Sequence, residues 1–311
     1  MEQYIKRHEN RGEYIDTHML GGCRCHTSRY GWEDIEIGDA MIFSHRTTGY
    51  TRETFTEGFH SHDYSELLVY VGGDVEYIGE NTLMSPAPGC AVSFSPGLMH
   101  TARLLSASVY ERYVLYFFPE FFEYMGRTVP IPGFYGSGAC ASRLIPADSR
   151  LAAILHDAEA AVCSDAPYGG LLARSLIISL FGVLAAAGQQ PDPATGTLTG
   201  ELAEVKRYID ENYAQIRSVS DVSERFFYSR EHLSRTFRSH FNVSLSEYIV
   251  KRRISESLGL LEHMSVADAC YAVGFGNQTS FISAFRRIVG CLPSEYKKSR
   301  ECRTDVLRPG G

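Results

Sequence analysis

Residues 266–296 read VADACYAVGFGNQTSFISAFRRIVGCLPSEY, and few folds accommodate that order of side chains. Val266, Ala269 and Cys270 are apolar or small at helical spacing. Gly274 then breaks the helix, as a residue free to take positive φ can. Asn277 is a good N-cap for a second helix. Phe281, Phe285, Ile288 and Val289 fall at i, i+4, i+7 and i+8, one apolar stripe. The opposite face carries Gln278, Thr279, Ile282, Ser283 and Arg286, and Gly290 and Pro293 stop the helix. A helix anchored by aromatics, with small polar groups and arginines facing outward, suits the major groove of DNA.

The charge distribution points the same way. Residues 1–196 hold 13 Lys and Arg against 23 Asp and Glu, whereas residues 197–300 hold 15 against 12. The net charge of −7 therefore hides a basic C-terminal third, which is where a polyanion would be met. Eight cysteines are scattered along 311 residues behind a polar, charged opening that is not a secretion signal, which reads as a cytoplasmic protein with free thiols. The longest apolar run, Ser175 to Ala187, falls short of the roughly 20 residues a membrane span needs. No membrane partner is expected.

The segment GFGNQTSFISAFRRIVGCLPSEYKK resembles the second helix-turn-helix of the AraC family of bacterial transcription regulators: the Gly-Phe turn, the Phe-x3-Phe spacing and the G-x2-P-x2-Y ending all match. The resemblance implies a first helix-turn-helix about 50 residues upstream, and SVSDVSERFFYSREHLSRTFRSHFNVSLSEYI supplies it. Ser218 or Ser220 can cap a short helix holding Val222 and Phe226. Ser229 can cap the next, whose stripe is Leu233, Phe237 and Phe241. Residues 246–264 form the expected joint between the units, and Glu201–Tyr213 the helix that opens the domain. The family pattern places Glu231, Ser234, Arg235 and Arg238 on the outer face of the first recognition helix, and Gln278, Thr279, Ile282 and Arg286 on the second. In those places Arg235 can fork onto guanine, Glu231 accept from cytosine, Gln278 pair with adenine, and Thr279 and Ile282 touch thymine methyls. Arg238, Arg286, Arg287, Lys297 and Lys298 would meet phosphates. Ser283 stands where several family members carry a base-reading Arg.

Upstream, residues 46–116 alternate in short runs separated by Gly, Pro, Asn and Asp, the pattern of a small β-barrel. Glu66–Val71, Val75–Ile78, Ala91–Phe94 and Tyr110–Phe117 are the clearest strands, and Asp39–Phe43 a further one. Within them HSHDYSELLVYVGG gives His60, His62 and Glu66 one parity, hence one face of a continuous strand. GCAVSFSPGLMH ends in His100. This string is similar to the ligand pattern of cupin barrels, which implies a divalent transition metal such as Zn, Mn, Fe or Ni as cofactor. Three readings of the quartet stay open: polar groups lining a metal-free effector pocket, metal ligands, or structural polar groups. Tyr70 and Arg46 join the effector-site candidates by parity and proximity.

The expected fold is therefore α+β: an N-terminal cupin-like β-barrel with two following helices, then an all-α double helix-turn-helix. Residues 1–187 would be the effector-binding and dimerisation domain and 188–200 a linker rich in Gly, Pro and Thr. Residues 201–300 would bind DNA and 301–311 form a flexible tail. A short helical turn is expected in 117–130. The Gly-rich stretch 133–140 lacks a phosphate-loop ending, so no nucleotide is assigned to it. Family resemblance implies double-stranded DNA as partner, a small-molecule effector of which sugars are the most familiar, a homodimer, and RNA polymerase as a further partner. It implies no catalytic residues. A metal-dependent cupin enzyme using His60, His62, Glu66 and His100 is the alternative of a different class.

Overall fold

The structure is a computed structural model and describes residues 1, 4–5, 8–9, 13–50, 58–79, 82–124, 142–164, 166–187 and 195–298. The glycine-rich stretch 133–140, residues 188–194 of the expected linker and the tail lie outside them. The chain divides into two compact units: Met1–Thr56 with Asp63–Leu198, and Glu57–His62 with Thr199–Gly311.

The first unit is built on antiparallel strands. β1 (Tyr14–Leu20), β2 (Cys23–Ser28), β3 (Glu33–Glu36), β4 (Met41–Tyr50), β10 (Ser108–Phe117), β5 (Ser65–Gly72), β8 (Ala91–Phe94) and β11 (Ser142–Ile145) lie in that order in one sheet. A second sheet has the order β12 (Thr195–Thr197), β7 (Thr82–Met84), β6 (Val75–Gly79), β9 (His100–Leu104). β12 falls inside the stretch expected as linker, where its Gly196 sits opposite Leu83 of β7. The strands alternate because side chains in β structure point to opposite faces. Met41, Phe43, Leu67, Val69, Tyr113, Leu115 and Phe117 all point to one core, while Ile42, Leu68, Tyr70, Tyr110, Val114 and Tyr116 point to another.

Three helices pack on the first of these cores. α1 (Pro119–Tyr124) follows β10 directly, within the segment where a helical turn is expected. α2 (Ser149–Cys163) starts at Asp148, whose carboxylate accepts from the Arg150 N–H, and buries Leu151, Leu155, Ala158 and Val162. α3 (Gly169–Ala187) is long and apolar enough to cross a membrane by length and composition. Here it packs Ala173, Ile177, Leu180, Phe181 and Leu184 into the core beneath the sheet. Phe181 meets Phe117 edge-on, ring centroids 5.0 Å apart. Each such side chain contributes about 1.5–3 kcal/mol on burial, so the stripe fixes α3 firmly against the sheet.

The second unit is helical. α4 (Glu201–Asn212) opens it, followed by α5 (Val219–Arg225), α6 (Arg230–Phe241), α7 (Leu245–Leu260), α8 (Val266–Ala272) and α9 (Gln278–Val289). Caps set most of the starts: Ser218 with a reciprocal bond from Asp221, Ser229, Ser244, Ser265 and Asn277. α8 and α9 pack Ala269, Cys270, Phe281 and Phe285 against Ile254 and Leu258 of α7. Arg253 of α7 donates from Nε to the Tyr213 carbonyl (2.9 Å) and from Nη2 to that of Ile216, tying α7 to the end of α4. Burial lowers the pKa of this guanidinium, which two carbonyl acceptors keep in place.

Lys206 on α4 is fully buried. Its Nζ donates to Asp210 (2.8 Å), which also accepts from the Tyr248 hydroxyl (2.6 Å). The same ammonium lies 5.3 Å over the ring of Phe59 and 5.8 Å over that of Tyr248. Phe59 meets Phe241 and Tyr248 edge-on, at 5.5 and 5.2 Å. That aromatic cage is why the short segment 57–62 counts with the helices.

Candidate functional site

The helical unit presents two capped helices with one design. In α6 the Ser229 hydroxyl accepts from the His232 N–H (3.2 Å), and Leu233, Phe237 and Phe241 are buried. In α9 Asn277 Oδ1 accepts from the Ser280 N–H (2.8 Å), and Phe281 and Phe285 are buried. With the stripes pinned inward, helical geometry turns the remaining positions outward. Glu231, Arg235 and Arg238 are exposed and Ser234 half-buried, while Gln278, Thr279 and Arg286 are exposed. Ile282 is half-buried and packs against the core of α7 to α9. Glu231 in the first turn of α6, and Arg286 and Arg287 in the last turn of α9, each complement their helix dipole. Arg287 also lies 3.9 Å from Glu247, and Lys297 donates to the Met264 carbonyl (2.8 Å). These two expected phosphate contacts thus have partners within the unit.

The turns entering α6 and α9 share one hydrogen-bond skeleton. Gly274 N–H donates to Tyr271 O (3.0 Å) and Phe275 N–H to Cys270 O (3.1 Å); Phe227 N–H donates to Glu224 O (3.2 Å) and Tyr228 N–H to Ser223 O (2.9 Å). Both pairs have the spacing of a Schellman motif, with the left-handed residue at Gly274 (φ 86°) and Phe227 (φ 58°).

The expectation that His60, His62 and Glu66 share a continuous strand is corrected. β5 starts only at Ser65, and the chain bends at residues 63–64 before it. Glu66 and His100 both belong to the β unit, whereas His60 and His62 are counted with the helical unit. Three imidazoles and one carboxylate form a donor set that fits a divalent transition metal. His100 Nε2 lies 2.9 Å from Glu66 Oε2, and its Nδ1 lies 2.9 Å from the Leu98 carbonyl. Phe94 stacks on the His100 ring at 4.1 Å.

Arg46 and Tyr70, the other effector-site candidates, are both buried. The Tyr70 hydroxyl donates to the Gly73 carbonyl (2.6 Å). Arg46 donates from Nη2 to Asp34 Oδ1 (2.9 Å) and from Nε to Ser44 Oγ (3.1 Å), and lies 4.8 Å over Trp32. Asp34 Oδ2 accepts from the hydroxyls of Tyr4 (2.9 Å) and Tyr14 (2.6 Å). Burial raises the pKa of this carboxyl, but the Arg46 charge and the bonds from Tyr14, Arg46 and Ser44 outweigh it and hold it below the ordinary value. Sequence reasoning missed Asp34. It sits in a four-residue strand with no periodic signal, and its partners come from three distant segments.

Comparison with known proteins bears on the helical half. A family described as a helix-turn-helix domain matches residues 222–299. The HTH-type transcriptional activator AarP of Providencia stuartii is 32% identical over 108 residues, 34% of this chain and 80% of AarP. The chain belongs to the AraC family. The Msm operon regulatory protein of Streptococcus mutans is 34% identical over 97 residues, and this AraC-family chain spans about a third (35%) of its length. Among solved structures, the DNA-binding domain of AdpA in complex with a target DNA is 27% identical, covering 36% of this chain and 100% of that one with a TM-score of 0.33. The two curated relatives are regulators, and they give the metal-dependent enzyme alternative no support.

Proposed function

We propose that the protein is a ligand-responsive, sequence-specific DNA-binding transcription regulator. One observation carries this reading: two recognition helices of the same build, each capped, each held by buried phenylalanines, each with a polar outer face. Arg235 and Gln278 read bases, with Glu231, Ser234, Thr279 and Ile282 beside them; Arg238 and Arg286 meet phosphates. The effector site uses His60, His62, Glu66, His100, Tyr70 and Arg46. A divalent transition metal fits the His60, His62, Glu66 and His100 donor set, and a sugar is the effector class the family suggests. The exposed side chains of Tyr168, Leu171 and Leu172 at the start of α3 support a homodimer formed by the first domain, residues 1–187. RNA polymerase is a further partner, the protein acts in the cytoplasm, and it has no catalytic residues.

The test is binding to duplexes selected from a random-sequence pool at moderate salt, against non-specific competitor. Saturable binding that survives the competitor is expected. Arg235→Ala should lose about 1–3 kcal/mol and relax preference at one base pair. Arg238→Ala should weaken all sequences alike and lower the salt slope by about one. Enrichment of no sequence would overturn the reading. For the sensor half, Zn, Mn, Fe and Ni are titrated while unfolding is followed. A bound metal at 100 times its Kd stabilises by about 2.7 kcal/mol, and His62→Ala should abolish the shift.

A further inference from the structure

Phe227 breaks the rule that its own turn follows. It is the left-handed residue of the first Schellman motif, with φ 58°, where the second motif has Gly274 at φ 86°. A bulky residue in that region is a true outlier, because its Cβ crowds the backbone. Burial does not compensate, since Phe227 is 95% exposed, the most exposed large apolar side chain among the described residues. The protein thus keeps a strained phenyl in water at a position where its second copy of the same turn keeps glycine. Strain retained without packing marks a used position.

Its place says for what. Phe227 stands two residues before Ser229, the N-cap of α6, and recognition helices read base edges from their N-terminal residues. Arg225 and Arg230 flank it, both exposed, and so do the exposed carboxylates of Glu224 and Glu231, so the local charge balances while two guanidiniums stay within reach of a phosphate. We infer that Phe227 is a DNA contact: its phenyl packs on the apolar face of the duplex, a thymine methyl or the adjoining deoxyribose, at the edge of the site read by α6. The second helix-turn-helix has no counterpart, so the two half-sites are read by different chemistry. Thymine methyls are a regular apolar target in the major groove, and a backbone already fixed by its turn spares that part of the ordering cost on docking.

This rests on the DNA-binding reading, and the experiment separates the two. The probe is the tightest duplex that the full-length wild-type chain selects from a random pool; failure to select one sinks the reading itself. On that duplex Phe227→Gly and Phe227→Asn should bind roughly three- to tenfold more weakly, the worth of one buried apolar contact, with an unchanged salt slope. Phe227→Leu should recover most of the loss. Both weak variants should unfold at the same or a higher temperature than wild type, which a purely structural role would not give. Thymine-to-uracil scanning then places the contact. One uracil that weakens the wild type but not Phe227→Gly marks a methyl; insensitivity throughout, with Phe227→Gly still weak, marks the sugar. Equal affinity of Phe227→Gly and wild type would overturn the inference and leave the phenyl to a protein partner.

Discussion

Replacing Gly274 with alanine should cost the helical unit far more than any other single methyl added to its turns. A Cβ there would lie 2.2 Å from the carbonyl oxygen of Ala214 and 2.8 Å from its C and Cα. Those are backbone atoms at the end of α4, held by the Arg253 bonds to Tyr213 and Ile216, so they cannot swing aside. Positive φ adds about 1–2 kcal/mol for any residue with a Cβ. The overlap adds about 1–3 kcal/mol, as overpacking does. Against this, alanine restricts the unfolded chain and returns about 0.4–1 kcal/mol. The net is a loss of about 1–4.5 kcal/mol. Gly276→Ala is the control two residues away, with open space around its Cβ and no left-handed φ. Denaturation followed by far-UV circular dichroism reads the helices, while Trp32, the only tryptophan in the sequence, reports on the β unit. A Gly274→Ala transition within about 0.5 kcal/mol of Gly276→Ala, the ordinary range for harmless surface changes, would refute the reasoning.

Asp34→Asn should destabilise the β unit by about 3–5 kcal/mol, because Arg46 would stay buried without its carboxylate; fluorescence-detected unfolding checks it. Since the Asp34 carboxyl is held below its ordinary value, its stabilisation is full above about pH 3.9 and fades as pH falls through the lower folded value. Acid unfolding of wild type should therefore be steeper than that of the variant. His45 bonds through Nδ1 to Glu159 (3.0 Å) and through Nε2 to Glu111 (3.0 Å), and the Glu159 bond chiefly raises its pKa. Its contribution is full below about pH 6.5 and lost as pH rises through the raised value, so a stability profile from pH 6 upward should decline in wild type and flatten in His45→Gln. Thiol labelling of the native protein should strike exposed Cys163 well before buried Cys25, whose thiol burial and nearby carboxylates push up to about 12.

Local signals were the legible ones. Ser229, Gly274 and Asn277 each do in the structure what their chemistry suggests, because capping and left-handed turns are decided within a few residues. The strand Ala91–Phe94 is found at its expected bounds, since one apolar run between turn residues admits little else. The N-terminal strands were not legible. β1 is exposed or half-buried along its length, so no apolar alternation betrays it, and only its ladder to β2 defines it. Parity puts His60, His62 and Glu66 on one face only if one strand carries all three, and the bend at 63–64 interrupts it before β5 begins at Ser65. β12 has no apolar pattern either and exists because β7 offers it an open edge. Phe227 was invisible for the opposite reason: sequence rules expect glycine there, and only the φ and exposure of the folded chain reveal the exception.

The cage around Lys206 bears on how the protein can be divided. Phe59 precedes α4 by some 140 residues, yet it is fully buried against Phe241 and Tyr248 and covers the Lys206 ammonium. A fragment cut at Thr199 would carry both helix-turn-helix motifs, with Arg235 and Gln278, but not its own complete interior. It would begin life with a phenyl-sized hollow beside a buried cation. Modularity in this chain is a property of space rather than of sequence, and a truncated reagent should be made whole with a short peptide bearing Gly58 and Phe59.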